Sequence, residues 1–321
     1  MVRLAFAGTF AASLEPRVRA HLTLPCEVVV ADEASIASKL ADVDVLITLA
    51  FTREMGAAAR RLRLVQVPGA GLDRIDRLAV PAGAWLANAY GHEIGIAEYV
   101  IGVMLAWTRE LARLDGALHR GTWLSQWAVG TPPPPAWPEL AGKTLGIVGF
   151  GRIGRCLARR ARAFDMTVLA TRRDLSTPDG LVELRGPDGL HEVLARSDYV
   201  AITASLSPDT RGLIGQRELR TMKPSALLVN VARAEIVDEN ALYEALAGKT
   251  IAGAALDVWY RYPTGAGVTL PSHRPFHELP NVLMTPHVSG WTEGMLEARA
   301  ALIADNVARV ARGEPPVNLI G

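Results

Sequence analysis

The chain has 321 residues, of which 50% are hydrophobic and 21% charged, and its formal net charge at pH 7 is +1. This length is sufficient for two domains of ordinary size, and the composition is typical of compact enzymes, not of disordered chains. A charge so close to neutral gives no electrostatic reason to expect nucleic acid or an acidic membrane surface as a partner. The two cysteines, Cys26 and Cys156, show no metal-ligand spacing, so we expect neither a metal site nor a disulfide framework.

The N-terminal residues have some features of a signal peptide. Their apolar stretch is short, however, because Gly8 and Thr9 interrupt it and charge returns at Glu15. A first strand with its helix explains the segment better, and no apolar run is long enough to span a bilayer. We therefore expect a cytoplasmic location.

Strands alternate with helices in the N-terminal part of the chain, which predicts a parallel sheet. A glycine-rich turn, Pro68–Asp73, follows one of these strands, at the position where open α/β sheets place their ligands. The turn indicates either a ligand contact or only a chain reversal. The predicted strands are Val2–Ala7, Glu27–Val30, Asp44–Leu49, Leu64–Val67 and Ala84–Asn88, and the helical segments are Pro16–Leu22, Ala34–Leu40 and Thr52–Leu62.

A long apolar helix is predicted over Ile96–Leu111. It is too apolar to be only a solvated linker, so it predicts core packing, an interdomain hinge or an oligomer face. The proline-rich segment Thr131–Pro138 then interrupts regular structure and is interpreted as an extended connector.

The segment Thr144–Arg155 has the pattern of a strand, a tight glycine turn and a helix. In that context the spacing Gly149-x-Gly151-x-x-Gly154 predicts dinucleotide binding. Gly149 permits the turn, Gly151 lets the backbone approach a pyrophosphate, and Gly154 lets the helix pack closely on the strand. Further buried strands are predicted at Thr167–Ala170, Tyr199–Thr203, Ala226–Asn230, Gly253–Asp257 and Val282–Thr285, and Leu302–Val310 is the centre of a closing helix.

The identity of the dinucleotide is indicated by the end of the second strand of this group. A carboxylate usually occupies this position and binds the ribose 2′-hydroxyl, but here the residue is Arg172. An arginine would bind a 2′-phosphate, so we expect NADP to be preferred over NAD. The alternative is that Arg172 and Arg173 stack on the adenine while Asp174 reaches the ribose.

Two residues that could carry the chemistry also follow strand ends. Arg233 could bind a carboxylate and polarise an adjacent carbonyl, and His287 could exchange a proton near neutral pH. Taken alone, an arginine is more often a surface residue and a histidine more often structural.

Several motifs occur in order along the chain and together resemble the D-isomer-specific 2-hydroxyacid dehydrogenase family. They are Val67–Asp73, Gly142–Gly149, Asn230–Arg233, Leu256–Val258 and Thr285–His287. The resemblance implies an α/β fold of two doubly wound, Rossmann/flavodoxin-like parallel-sheet domains. It implies a discontinuous substrate domain of residues 1–92 plus 290–321 and a dinucleotide-binding domain of residues 93–289. It also implies a cleft site and a homodimer formed through the Ile96–Leu111 region.

The resemblance further implies roles for individual residues. Arg233 would bind the substrate carboxylate, His287 would be the acid/base, and Asp257 would contact the nicotinamide amide. His92 and Glu93 indicate either a substrate contact or stabilisation of a helix N-terminus. The expected substrate contacts are Gly69, Ala70, Gly71 and His92, and the expected cofactor contacts are Gly149, Gly151, Arg152, Ile153, Gly154, Thr171, Arg172, Arg173, Ser207, Thr210, Val231, Asp257, Ser289 and Gly290.

The chain departs from the family at one position. The glutamate that pairs with the catalytic histidine in the family falls at Tyr262 in this chain. A neighbouring carboxylate favours charged histidine, whereas a neutral tyrosine can only hydrogen-bond. His287 should then be a weaker acid for carbonyl reduction, unless Glu93 takes the place of that glutamate. The segments Asp257–Trp259 and Thr285–Gly290 look more like the formate dehydrogenase branch, which also lacks the glutamate.

Three functions follow from these observations. The first is an NAD(P)-dependent oxidoreductase that interconverts a small 2-hydroxy acid and its 2-keto acid, with Arg233, His287 and Tyr262 at the reacting end. The second is a dehydrogenase of formate or a similar oxyanion, which needs no proton transfer. The third is a nucleotide-sensing binding protein without turnover.

Overall fold

The computed structural model of the protein describes residues 1–176 and 179–320. The chain divides into two compact units, Met1–His92 with Trp291–Gly321, and Glu93–Gly290. The helices are α1 (Thr9–His21), α2 (Arg53–Ala58), α3 (Glu93–Thr108), α4 (Leu111–His119), α5 (Arg152–Ala163), α6 (Leu190–Arg196), α7 (Gln216–Thr221), α8 (Glu239–Ala247) and α9 (Glu293–Ala311). The strands are β1 (Val2–Ala7), β2 (Cys26–Ala31), β3 (Val45–Thr48), β4 (Leu64–Gln66), β5 (Trp85–Ala87), β6 (Thr144–Val148), β7 (Thr167–Thr171), β8 (Glu183–Arg185), β9 (Tyr199–Ile202), β10 (Leu227–Asn230), β11 (Gly253–Leu256) and β12 (Val282–Met284).

The first unit is built on a five-stranded parallel sheet with the order β2-β1-β3-β4-β5. Alternate residues of β1 point to opposite faces, so Leu4 and Phe6 pack with α1 and α9, while Ala5 packs with Ile36 and Met55 on the other face. Helix α9 comes from the end of the chain, so this unit is discontinuous in sequence.

A buried polar network ties the end of the chain into the first unit. The side chains of Gln66 and Asn306 are 0% exposed. Asn306 Nδ2 donates to Gln66 Oε1 at 2.7 Å, and Asn306 Oδ1 accepts from the Val317 N–H at 2.7 Å. Since buried amide groups must be paired, this network fixes the position of α9 against β4.

The second unit is built on a seven-stranded parallel sheet with the order β12-β11-β10-β9-β6-β7-β8. Helices α3 and α5 cover one face, and α6, α7 and α8 cover the other. The chain runs from β6 outward through β7 and β8, and then returns to β9 on the opposite side of β6. Ligands of open α/β sheets bind beyond the carboxyl ends of the strands at such a switch point.

Some of the predicted boundaries were wrong for local reasons. The helix predicted over Ala34–Leu40 is a short 3-10 helix, Ile36–Lys39, and α2 ends at Ala58 because Ala59 leaves the helical conformation. Helix α3 ends at Thr108, and Glu110 then takes a left-handed φ of 50° before α4 begins. Among the helices of the described residues, none is long and apolar enough to cross a membrane.

Candidate active site

The glycine turn after β6 has room for a ligand on one side only. Gly149 has φ 98°, and a Cβ there would lie 2.4 Å from the Cα of Ala204. A Cβ on Gly154 would lie 3.2 Å from the Gly149 carbonyl oxygen, whereas one on Gly151 would meet nothing within 4 Å. Gly149 and Gly154 therefore serve packing, and the open side of Gly151 at the start of α5 fits a pyrophosphate.

The end of β7 holds this turn and carries the arginine expected to select the cofactor. The Thr171 carbonyl oxygen accepts from the Phe150 N–H at 2.8 Å. The next residue, Arg172, has Nη2 3.7 Å from Asp174 Oδ2, while its Nη1 is buried without a hydrogen-bond partner in the described part of the chain. A buried guanidinium nitrogen in this state fits a bound anion. Arg173 points outward, with its side chain 82% exposed.

In the loop after β9, a side-chain hydroxyl group forms hydrogen bonds with the backbone of the same loop. The Ser207 N–H donates to Thr210 Oγ1 at 2.8 Å, and Thr210 Oγ1 donates to the Ser205 carbonyl oxygen at 2.7 Å. Arg152 and Ile153 form the first turn of α5, and Val231 follows β10. For these residues a cofactor contact remains a prediction.

The turn after β10 positions Arg233. Asn230 Oδ1 accepts from the Ala232 N–H at 3.1 Å, and Asn230 Nδ2 donates to the Arg233 carbonyl oxygen at 3.0 Å. Arg233 Nη1 donates to the Ala232 carbonyl oxygen at 2.8 Å. The arginine is therefore held beyond the carboxyl end of a buried central strand.

The loop that carries His287 is fixed by one buried carboxylate. Asp257, 0% exposed, accepts from the N–H groups of Val288 and Ser289 at 2.8 Å each and from Thr285 Oγ1 at 2.6 Å. These bonds hold His287 at φ 58°, a conformation that non-glycine residues rarely adopt. The sequence did not predict this role, because it depends on backbone N–H groups. The predicted contact of Asp257 with a nicotinamide remains a prediction.

Tyr262 lies against the catalytic histidine candidate. The distance from Tyr262 Oη to His287 Nδ1 is 2.7 Å. The backbone N–H of Trp259 donates to Tyr262 Oη at 3.4 Å, and the indole Nε1 of Trp259 donates to the Thr285 carbonyl oxygen at 2.8 Å. Sequence reasoning missed Trp259, although a tryptophan directly after a strand end was a possible signal.

The surroundings of His287 and Tyr262 favour the neutral form of both rings. Desolvation lowers the pKa of His287, with Arg233 acting in the same direction and Asp257 opposing it. His287 is exposed as a residue, and its ring lies 5.7 Å from that of Tyr262 between centroids. Burial likewise raises the pKa of Tyr262.

Three of the predicted substrate residues of the first unit accept hydrogen bonds from other residues of that unit. The Ala89 N–H donates to the Gly69 carbonyl oxygen at 3.1 Å, and Asn88 Nδ2 donates to the Ala70 carbonyl oxygen at 3.0 Å. Arg299, 7% exposed, donates from Nη2 to His92 Nδ1 at 2.9 Å. Sequence reasoning missed Asn88 and Arg299. Substrate contacts of Gly69, Ala70, Gly71 and His92 remain predictions.

Comparison with known proteins identifies the chain. The family model described as "D-isomer specific 2-hydroxyacid dehydrogenase, NAD binding domain" matches residues 101–289. The chain belongs to this family.

Individual relatives agree with this assignment. A Thermococcus gammatolerans glyoxylate reductase is 35% identical over 288 residues, which cover 88% of this chain and 84% of the relative. A D-3-phosphoglycerate dehydrogenase of Methanocaldococcus jannaschii is also 35% identical, over 88% of this chain, but the chain spans only 52% of that longer relative. A structure of the NADPH-dependent glyoxylate/hydroxypyruvate reductase from Sinorhizobium meliloti, in complex with NADP and malonate, has a TM-score of 0.82 and 27% identity, with 100% of this chain and 97% of that chain covered.

Membership of the D-isomer specific 2-hydroxyacid dehydrogenases confirms three of the predictions: the family, the two parallel-sheet α/β domains and the NAD(P) cofactor. The chain is thus an NAD(P)-dependent oxidoreductase that interconverts hydroxy acids and keto acids. Within residues 1–176 and 179–320, no group of three or more histidine, cysteine or acidic side chains could hold a metal ion.

The different surroundings of two glycines in the turn give a test of the cofactor site. Gly151→Ala should leave the melting temperature nearly unchanged but weaken NADPH binding by about tenfold or more, because its methyl group would occupy space needed by the pyrophosphate. Gly149→Ala, the matched variant, should lower the melting temperature, because its Cβ collides with Ala204. Cofactor titration and thermal unfolding measure both effects. Full NADPH affinity in Gly151→Ala would show that the pyrophosphate lies elsewhere.

Proposed function

We propose that this dehydrogenase reduces small 2-keto acids, such as glyoxylate or hydroxypyruvate, to 2-hydroxy acids and prefers NADPH. The observation that carries the proposal is the placement of Arg233 and His287 beyond the carboxyl ends of β10 and β12 in one parallel sheet. After desolvation, the charge of Arg233 also lowers the pKa of His287, which supports a substrate contact shared by the two side chains. The names of relatives at 35% identity supply the choice of small keto acids.

In the proposed reaction Arg233 binds the substrate carboxylate, and its positive charge polarises the neighbouring carbonyl group. His287 gives its proton to the carbonyl oxygen, and Tyr262 holds the ring at Nδ1. When bound, the dinucleotide supplies the hydride. Gly69, Ala70, Gly71 and His92 are further proposed substrate contacts.

One observation favours oxidation of formate or a similar oxyanion as a second candidate. His287 has a tyrosine partner and not a carboxylate, so nothing on Nδ1 stabilises a charged imidazolium as strongly. Hydride loss from formate releases carbon dioxide and requires no proton acceptor. A third possibility, a nucleotide-binding protein without turnover, would be recognised by cofactor binding alone.

The substrate class can be tested with purified full-length protein. We expect NADPH oxidation with glyoxylate or hydroxypyruvate, and Arg233→Ala should lower kcat/KM by about 100-fold or more, since the charged hydrogen bonds to the carboxylate are lost. Arg220→Ala, which removes an exposed arginine of α7, should leave kcat/KM unchanged. Formate-dependent reduction of the cofactor without keto-acid turnover would instead establish the second candidate. Cofactor binding without turnover of either substrate would establish the third.

The cofactor preference has its own test. Arg172→Ala should lower kcat/KM for NADPH by about tenfold or more and leave the value for NADH nearly unchanged, because only the 2′-phosphate loses its partner. Measurements with NADH on the same variant are the internal control. A wild-type preference for NADH of about tenfold would contradict the assignment of Arg172.

We also propose a homodimer in the cytoplasm. Most of α3 lies in the core of its own unit, but Leu111 and Leu118 of α4 and the following Trp123 and Trp127 are between 52% and 75% exposed. Apolar side chains at this density support a protein interface. Both cysteines have free thiols, which fits a reducing compartment. Sedimentation should give the mass of a dimer, and Trp127→Glu should shift it towards the monomer; a monomeric wild type at micromolar concentration would exclude this proposal.

A further inference from the structure

The proton of the Tyr262 hydroxyl has one acceptor among the described groups around it. The Trp259 N–H can only donate, and it donates to Tyr262 Oη. The other partner of the hydroxyl is His287 Nδ1, at 2.7 Å. A phenolic proton directed at Nδ1 makes Tyr262 the donor and His287 the acceptor.

This direction determines which nitrogen of the neutral ring carries hydrogen. A neutral imidazole has one N–H, so a ring that accepts at Nδ1 carries its proton on Nε2. A carboxylate partner would impose the opposite arrangement, because it can only accept and requires hydrogen on Nδ1. With Tyr262, the neutral ring already presents an Nε2 proton.

We infer that Tyr262 and His287 form a proton relay in which the phenolic proton moves to Nδ1 as the Nε2 proton moves to the substrate oxygen. This inference rests on the proposed keto-acid reduction. As a hydride adds to the carbonyl carbon, the π-electron pair of the carbonyl moves onto oxygen, and that oxygen takes the proton of Nε2. Nδ1 takes the proton of Tyr262, so His287 stays neutral and Tyr262 becomes a phenolate.

The surroundings of Tyr262 allow the relay to be reset. The residue is 47% exposed, so water can return a proton to the phenolate. The Trp259 N–H and the charge of Arg233 stabilise the anion, whereas partial burial, Asp257 and Glu235 oppose it. The phenolate is thus a short-lived species, formed because the substrate alkoxide is the stronger base.

The relay gives Trp259 a defined task as a positioning residue. Its backbone N–H donates to Tyr262 Oη, and its indole Nε1 donates to the carbonyl oxygen of Thr285, where the loop that carries His287 begins. Both ends of the Tyr262–His287 hydrogen bond are therefore fixed by one buried residue, 5% exposed.

The hydrogen-bond direction can be measured without turnover by 15N NMR of the imidazole nitrogens of the full-length enzyme. His287→Gln assigns the signals of His287 by their loss. In wild type we expect an acceptor-type Nδ1 and a protonated Nε2 in the neutral ring, and Tyr262→Phe should shift the Nδ1 signal. Tyr260→Phe is the matched control, because the Tyr260 hydroxyl donates to the Val237 carbonyl oxygen at 2.9 Å instead.

Proton transfer is tested by the kinetics of keto-acid reduction. Tyr262→Phe should lower kcat by about 10- to 100-fold, as expected for loss of a proton donor. We also measure how kcat depends on the deuterium fraction in mixtures of H2O and D2O. The dependence should indicate two transferred protons in wild type and only one in Tyr262→Phe. Wild type should stay active as pH rises above neutrality, since the working ring is neutral, whereas Tyr262→Glu should lose activity there as its imidazolium deprotonates. Of the charged or titratable groups around the ring, only residue 262 differs between the two proteins, because Asp257 and Arg233 are the same in both.

The outcomes separate this inference from the proposed function. Hydrogen on Nδ1 in wild type, or a one-proton isotope response, would overturn the relay while keto-acid reduction stands. If NMR shows the proton on Nε2 but the protein reduces no keto acid, the proposed function is overturned. The proposed transfer of that proton to a substrate is then overturned as well.

Discussion

The buried carboxylate of Asp257 is the constraint on which the proposed reacting end of this dehydrogenase depends. It lies one residue beyond β11 and accepts from two successive backbone N–H groups of the loop that follows β12. Those bonds offset the strain of the left-handed His287 and set where its ring points. Loss of that carboxylate would free the loop, so the position of the histidine is determined by a residue that need not touch the substrate.

The partner of His287 Nδ1 also determines the charge around the histidine ring. A carboxylate on Nδ1 would add a negative charge and favour imidazolium, whereas the phenol of Tyr262 adds none. The proposed reacting end then contains Arg233 as its cation and a neutral tyrosine–histidine pair. The proposed site would bind an anionic substrate while its acid stays uncharged, so the proposed substrate preference and proton chemistry follow from one arrangement.

Much of the nucleotide-binding part could be predicted, because its signals are local. Gly149, Gly151 and Gly154 lie within one strand–turn–helix unit, and each has a different steric surrounding in the structure. The sequence also indicated that Tyr262 replaces the usual partner of His287, since the motifs around both residues fixed the correspondence. Trp259 and Asn88 were not predicted, because the side chain of each donates to a backbone carbonyl group whose position depends on tertiary packing. The ends of α2 and α3 were also predicted wrongly. The apolar pattern continues past the end of the helix, whereas the backbone conformation of a single residue such as Glu110 interrupts it.

The path of the chain through the first unit affects how the protein is made. Its sheet is encoded before residue 93, but α9, which supplies Ile303, Val307 and Asn306 to one face, is encoded at the far end. During synthesis the second unit, continuous in sequence, has all its helices and strands available before the first unit receives α9. Until α9 leaves the ribosome, α1 covers only part of that apolar face of the first unit. Truncation near the C-terminus should therefore expose that face and direct the chain to chaperones or aggregation, even though every strand is intact.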